Sequence, residues 1–332
     1  MDNADKTILT AIQRGLPAAA RPFDDLAARL GLGPEDVLAR IVRLVERGLI
    51  RRIGPVFDSA SLGYVSTLVA GRVPPARLRE VAERVGRLPG VTHNYERRHA
   101  YNLWFTLTSP SREAEAEALE RLRRETGIPH FFSLPTAAVY KICVQFDICE
   151  NGGADAGAPA PPQRPAAPAA AAALTDEQKE LVRLIQDGLA VEREPFAAAA
   201  ARLGWPVERV VEQLREWLAC GVIRRFGAVV RHRELGLKAN GMAVFRAAGA
   251  DADEAGRRLA SHREVTHCYR RPPPEGFPYN LFAMVHGRSE DEVRGTVARM
   301  AADAHLADYD VLFSAAEFKK TSMRYFTEFE AR

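Results

Sequence analysis

Two stretches of this chain share one pattern. Val91–Leu107 reads VTHNYERRHAYNLWFTL, and Val265–Met284 reads VTHCYRRPPPEGFPYNLFAM. Both give V-T-H-x-Y, then arginines, then Y-N-L and an aromatic residue. The repeat extends in both directions. Arg21–Phe23 (RPF) matches Glu194–Phe196 (EPF), and Arg29–Gly31 (RLG) matches Arg202–Gly204. Gly48–Gly54 (GLIRRIG) matches Gly221–Gly227 (GVIRRFG), and Leu62-Gly63 matches Leu235-Gly236. A chain written this way folds as two copies of one unit, so what one copy presents the other presents again. The register of the repeat slips only near Y-N-L. There the second copy carries an extra PPPEGFP, an insertion of the kind a hairpin tip tolerates.

Between the copies lies Asn151–Ala173, rich in Ala, Pro and Gly and without an aromatic residue. Such a segment has too little apolar surface to order itself. As a coil its ends stand roughly 25 Å apart, which lets the halves fold separately and then dock. The expected domains are a winged helix over 1–60, a ferredoxin-like domain over 61–150, the disordered linker over 151–173, a second winged helix over 174–233 and a second ferredoxin-like domain over 234–332.

The element pattern supports this α+β architecture. Ile8, Leu9 and Ile12 mark one face of a helix over Lys6–Arg14. A second helix over Phe23–Leu30 stops at Gly31. A third over Pro34–Arg47 has Val37, Ile41, Leu44 and Val45 at helical spacing and stops at Gly48. Leu49–Phe57 follows as a β-wing. The second copy repeats the set at Glu177–Asp187, Pro195–Leu203, Pro206–Ala219 and Val222–Arg231. Next comes a βαββαβ order: Tyr64–Arg72, Pro75–Arg87, Val91–Arg98, Tyr101–Thr108, Ser111–Thr126 and Ala137–Asp147. Its second copy is Lys238–Arg246, Asp253–His262, Val265–Arg271, Tyr279–His286, Ser289–Ala302 and Ala316–Phe326.

The net charge of +3 is too small to suggest bulk nucleic-acid binding. No apolar run is long enough to span a membrane, and the N-terminus has no secretory pattern, so a cytoplasmic location is expected. Cys143, Cys149, Cys220 and Cys268 form no C-x-x-C pair, which argues against structural zinc and against an iron–sulfur cluster.

The strand pair carries the candidate chemistry. Alternation puts His93, Tyr95 and Arg97 on one face and Thr92, Asn94 and Glu96 on the other. His267, Tyr269 and Arg271 form the matching row. Beneath the helices of a ferredoxin-like unit such a row would be costly. On the open face it can line a cavity. Arginine forks bind carboxylates, and histidine gives or takes a proton near neutrality or ligates a metal. Arg98, Arg270 and His99 adjoin the rows. Arg51, Arg52, Arg224, Arg225, Lys141 and Lys319 are further basic candidates. Trp104 and Phe282 could offer flat surfaces. Each has a plainer reading: strand histidines and tyrosines as packing, wing arginines as solvated residues, the lysines as strand-edge residues, and Trp104 and Phe282 as core. His99 has no counterpart in the second copy, and His232 stands where the first has Ser59.

These residues resemble a known family. The winged helix followed by βαββαβ, with R-L-G, G-[LV]-I-R-R-[IF]-G and L-G, resembles the leucine-responsive-regulator (Lrp/AsnC) class. Within it, H-N-Y-E-R-R-H-A-Y-N-L-W and H-C-Y-R-R-P…P-Y-N-L-F resemble the two subunits of siroheme decarboxylase, here fused. The resemblance covers both halves and leaves out the linker. It implies a carboxy-lyase that removes the carboxyl groups of two siroheme acetates. The product, didecarboxysiroheme, would serve haem d1 or alternative haem biosynthesis.

On this chain the resemblance implies His93 and His267 as proton donors, or as ligands of the substrate's iron, aided by Tyr95 and Tyr269. Substrate carboxylates would be held among Arg51, Arg52, Arg97, Arg98, His99, Trp104, Arg224, Arg225, Arg270, Arg271, Lys141 and Lys319. No cofactor beyond the iron tetrapyrrole substrate is called for, and the two halves would pack as a pseudo-heterodimer. Two alternatives stand beside this reading: an Lrp/AsnC-type DNA-binding regulator, and a haem-binding protein without turnover. Glu35, Asp36 and Glu208 at the starts of the would-be recognition helices lean against DNA, while Arg40, Arg43 and Arg209 keep it open.

Overall fold

In the computed structural model, residues 1–142, 173–230, 239–273 and 276–327 are described. The expected linker up to residue 172, together with Cys143, Cys149 and His232, lies outside them. In chain order the first half gives α1 (Asn3–Arg14), α2 (Pro22–Leu30), α3 (Pro34–Glu46), β1 (Ile50–Phe57), β2 (Val65–Gly71), α4 (Leu78–Gly86), β3 (Val91–Arg97), β4 (Leu103–Ser109), α5 (Arg112–Thr126), β5 (Phe131–Pro135) and β6 (Ala138–Ile142). The second half gives α6 (Asp176–Ile185), α7 (Ala197–Leu203), α8 (Val207–Cys220), β7 (Ile223–Val230), β8 (Ala239–Phe245), α9 (Ala252–Ser261), β9 (Val265–Arg270), β10 (Leu281–Gly287), α10 (Glu290–Asp303) and β11 (Tyr309–Lys320).

The described residues form two compact units, and these cut across the two halves. One unit gathers both winged-helix segments and the short stretch 324–327. The other gathers both ferredoxin-like segments. Like therefore packs with like, rather than each half closing on itself.

In the first unit, α1 is started by Asp2, whose side chain accepts from the Asp5 amide while Asp5 accepts from the Asp2 amide. Ile8, Leu9 and Ile12 are fully buried. α2 opens on Pro22 and closes on Gly31, which has φ 65°. On α3, Val37, Ile41 and Leu44 are buried as expected, but Val45 is exposed because it falls at the margin of the apolar stripe. The wings differ from expectation. β1 and β7 pair with each other, antiparallel, with Gly54 opposite Gly227. Helix α1 lies so close to β7 that a Cβ on Gly227 would meet the Ile12 carbonyl oxygen at 2.3 Å. Only glycine permits that approach. Tyr325 completes this unit. It is buried, its hydroxyl is 2.8 Å from Ser59 Oγ, and its amide donates to Gln186 Oε1.

The second unit is one nine-stranded sheet in the order β5-β2-β4-β3-β11-β8-β10-β9-β6. Both halves show the expected βαββαβ order, but each last strand runs on into the other half. β11 pairs with β8 along Tyr309–Phe313 and with β3 along Ser314–Lys320. Likewise β5 pairs with β2, and β6 pairs with β9. The last strand of the second half therefore starts at Tyr309 and ends at Lys320, not at Phe326. Because β5 and β6 are separated by Thr136 and Ala137 alone, the two ends of the sheet meet there.

The helices cover one face of this sheet. Val69, Leu103, Phe105 and Leu107 pack with Val81, Val85, Leu119 and Leu122 in the first half. Phe245, Leu281 and Val285 pack with Leu259, Val293 and Met300 in the second. The opposite face carries a third core drawn from both halves: Trp104, Tyr101, Phe277, Phe282, Met242, Val244, Leu134 and Leu312. Burial of each large side chain there contributes about 2 kcal/mol, so the halves are joined by apolar packing as well as by shared strands.

Candidate active site

The alternation expected for β3 holds at its centre. Asn94 turns to the helix side and donates to the Ala82 carbonyl on α4 at 2.8 Å. On β9, the Cys268 thiol does the same toward Gly256 on α9, at 3.6 Å. His93, Tyr95 and Arg97 therefore take the opposite face. Tyr95 sits across from Trp104 and His93 across from Thr106. In the second half, Tyr269 sits across from Phe282 and His267 across from Met284. Both rows thus border the third core, to which both halves contribute.

The threonine before each histidine departs from the expected facing. The register shifts between Val91 and His93, and again at Val265, so a bulge brings the threonine to the histidine's side. Thr92 Oγ1 is 2.9 Å from His93 Nδ1 and 2.8 Å from Thr106 Oγ1. Thr266 Oγ1 is 3.0 Å from His267 Nδ1 and 3.0 Å from His286 Nε2. Each histidine then stacks on the tyrosine two residues on: His93 and Tyr95 have ring centroids 6.3 Å apart, His267 and Tyr269 6.1 Å. The arginine two residues further stands over that tyrosine ring, 5.7 Å away for Arg97 and 4.9 Å for Arg271.

Arg97 and Arg271 are the most perturbed groups of the rows. Both are buried, and desolvation pulls each guanidinium down to about 10. Each donates one N–H to a carbonyl of the other half: Arg97 to Leu312 at 2.6 Å, Arg271 to Leu134 at 2.5 Å. The buried Nε of each has no hydrogen-bond partner, and among the described residues no carboxylate pairs with either. Two buried cations with donors to offer suit an anion with several carboxylates.

The other sequence candidates have different surroundings. Arg98 is exposed and pairs with Glu290. Arg270 turns to Asp253 on α9, at 3.3 Å. Lys319 donates to the Gly86 and Leu88 carbonyls at the end of α4, and Lys141 to the His262 carbonyl at the end of α9. The two lysines thus satisfy helix C-termini. Trp104 is buried in the third core and gives its indole N–H to the Tyr101 carbonyl at 2.7 Å. His99 accepts the Tyr101 amide on Nδ1, stacks on the Tyr101 ring and meets Phe277 edge-on; burial lowers its pKa.

Arg51, Arg52, Arg224 and Arg225 belong to the unit that carries the wings. Arg225 donates to the Gln13 and Ala228 carbonyls, Arg52 to the Pro55 carbonyl and Arg224 Nε to Asp58 at 2.7 Å. Arg51 is partly buried on β1. Among the described residues no group of His, Cys, Asp and Glu is arranged to hold a metal ion, and no helix is long and apolar enough to cross a membrane.

Sequence reasoning missed Thr92, Thr266 and His286. His286 lies two residues beyond Met284 on β10, on the same face, and burial together with the Lys320 charge lowers it to about 4. Its signal was available: alternation from Phe282 points directly to it, and the first copy has Thr108 at the matching place.

Comparison with known proteins agrees with this architecture. Residues 61–141 and 234–319 match the AsnC-like ligand binding domain. Residues 5–51 and 178–224 match the siroheme decarboxylase NirDL-like HTH domain. The siroheme decarboxylase of Hydrogenobacter thermophilus is 37% identical over 99% of this chain and 96% of its own. The siroheme decarboxylase alpha subunit of Desulfovibrio desulfuricans is 46% identical over 44% of this chain and 84% of its own, so a single half matches a separate subunit. A crystal structure of the siroheme decarboxylase NirDL in complex with an iron-uroporphyrin III analogue superposes with a TM-score of 0.76 at 34% identity, covering 99% of this chain and 96% of that one. Matches of this extent, over nearly the whole chain and its relatives, place this chain in the siroheme decarboxylase family.

Proposed function

We propose that this chain is a cytoplasmic siroheme decarboxylase that converts two acetate side chains of siroheme to methyl groups. The observation that carries the reading is the symmetric pair Arg97 and Arg271. Each is buried, has no carboxylate partner among the described residues and stands in a row with a histidine and a tyrosine.

For each acetate, the C–C bond to the carboxylate breaks and carbon dioxide leaves. The electron pair stays on the methylene, where the conjugated macrocycle delocalises it, and a proton completes the methyl group. The reaction is redox-neutral. The protein must hold the non-reacting carboxylates, keep the reacting one poorly solvated and supply the proton.

Arg97 and Arg271 serve the first need. Partial burial of His93 and His267 beside the third core serves the second. The two imidazoles serve the third. With Nδ1 of each turned to a threonine, Nε2 is the nitrogen from which a proton would pass, or through which the substrate's iron would be ligated. General-acid help of this kind contributes ~10²–10⁴ in rate.

A DNA-binding role finds less support in the winged helices. Arg40 already faces Asp2, Asp5 and Asp36, and Arg209 stacks on Trp205 and pairs with Glu177.

The test is anaerobic incubation of the purified protein with siroheme, followed by mass spectrometry. Loss of two carboxyl groups is expected in the wild type and not in His93→Ala/His267→Ala. Unchanged siroheme with the wild type, or undiminished turnover in the double variant, would overturn the reading.

A further inference from the structure

The two rows are alike in His, Tyr and Arg but differ behind the histidine. In the first half, Thr92 meets another hydroxyl, Thr106 Oγ1, at 2.8 Å. Both hydroxyls rotate, and either can donate, so the pair accepts either tautomer of His93. In the second half the corresponding neighbour is an imidazole. His286 Nε2, Thr266 Oγ1 and His267 Nδ1 form a chain with two links of 3.0 Å. Thr266 is buried and has one hydroxyl hydrogen for two imidazole neighbours. It can donate to only one of them, so the other must donate to it. The tautomers of His286 and His267 are therefore tied together.

We infer that His286 is a positioning residue for His267, acting through the hydroxyl of Thr266. Resting on the decarboxylase reading, this places an imidazole behind the threonine of His267, where the threonine of His93 meets the Thr106 hydroxyl. The productive order has His286 Nε2–H donating to Thr266, and Thr266 donating to His267 Nδ1. His267 then carries its proton on Nε2, the nitrogen from which it is delivered. Burial and the Lys320 charge keep His286 neutral near pH 7, so it carries one ring hydrogen, and that hydrogen on Nε2 sets the productive order. Thr108, at the matching place in the first half, donates to Ser66 Oγ at 3.2 Å.

Four single variants and one double variant test the chain, with kcat and KM for siroheme measured alongside the 15N signals of His267 in substrate-free protein. Thr266→Val and His286→Leu are each expected to lower kcat about tenfold, the effect of one hydrogen bond on a reacting group, with KM within about twofold of wild type. The double variant is expected to be no slower than either single one, because both cut one chain. Thr266→Ser and His286→Gln keep a donor at the required atoms and are expected to retain most activity. The wild-type 15N signals should show His267 protonated on Nε2, and a mixture of tautomers in Thr266→Val.

Multiplying effects in the double variant, wild-type kcat in Thr266→Val, or an unchanged His267 tautomer would overturn the proposal. If wild-type protein leaves siroheme unchanged, the decarboxylase reading fails, and the 15N signals still decide the chain. If Thr266→Val or His286→Leu does not fold, the serine and glutamine variants carry the test: loss of activity in both, with native melting, overturns it.

Discussion

Arg97 of the first half donates Nη1 to the carbonyl of Leu312 in the second, at 2.6 Å. Arg271 returns the contact to Leu134. Each half thus lends the other the carbonyl that orients its buried cation. This arrangement favours binding more than stability, because a guanidinium buried without a carboxylate is costly until an anion arrives.

Replacing Arg97 or Arg271 by Met separates those two effects. KM for siroheme is expected to rise about 10–100-fold, as for loss of a charged hydrogen bond worth about 1.5–3 kcal/mol. Thermal stability is expected to stay level or increase, since Met fills the space without a buried charge. Steady-state kinetics and melting curves on the same samples check both. A lowered melting temperature with unchanged KM would show that the arginines serve the fold alone.

Lys141 and Lys319 are expected to behave in the opposite way. Lys319→Met removes the donor at the end of α4, and Lys141→Met removes the one at the end of α9. Each should cost about 1 kcal/mol of stability. Turnover should remain near wild type. Urea unfolding and an activity assay decide it, and a large rise in KM would return these lysines to substrate binding.

Acid should weaken the fold through His286. Its folded pKa, about 4, lies below the ordinary value of 6.5. Between these values the unfolded chain binds the proton more readily. Stability contributed by the neutral group is therefore complete above about pH 6.5 and declines as pH falls toward 4. Denaturant midpoints at pH 7 and pH 5 should differ less in His286→Gln than in wild type. Equal acid sensitivity would place the loss elsewhere.

Gly256 on α9 lies against the Tyr140 ring. A Cβ there would meet the ring at 2.3 Å. Gly256→Ala is therefore expected to destabilise by about 1–3 kcal/mol despite alanine's better helix propensity. The first half has Ala82 at the matching place, where Ala82→Gly should cost about 1 kcal/mol. Melting curves of the two reciprocal variants measure the contrast.

Much of this was legible in the sequence because it is local. Helical spacing placed Ile8, Leu9 and Ile12 in a core, and Gly31 ended α2. Period-two alternation put His93, Tyr95 and Arg97 on one face of a strand, and the repeat supplied the second row. Three features depended instead on contacts between distant parts of the chain. The bulges at Thr92 and Thr266 reverse a facing that strict alternation would assign. The exchange of last strands sets Lys319, not its neighbour, against the end of α4. The pairing of β1 with β7 engages arginines that look free in sequence. Period and propensity act over a few residues, so the sequence by itself determined the elements, their faces and the duplicated row. Which strand edge meets which, and so which carbonyl, hydroxyl or imidazole each side chain finds, was decided only when both copies closed into one sheet.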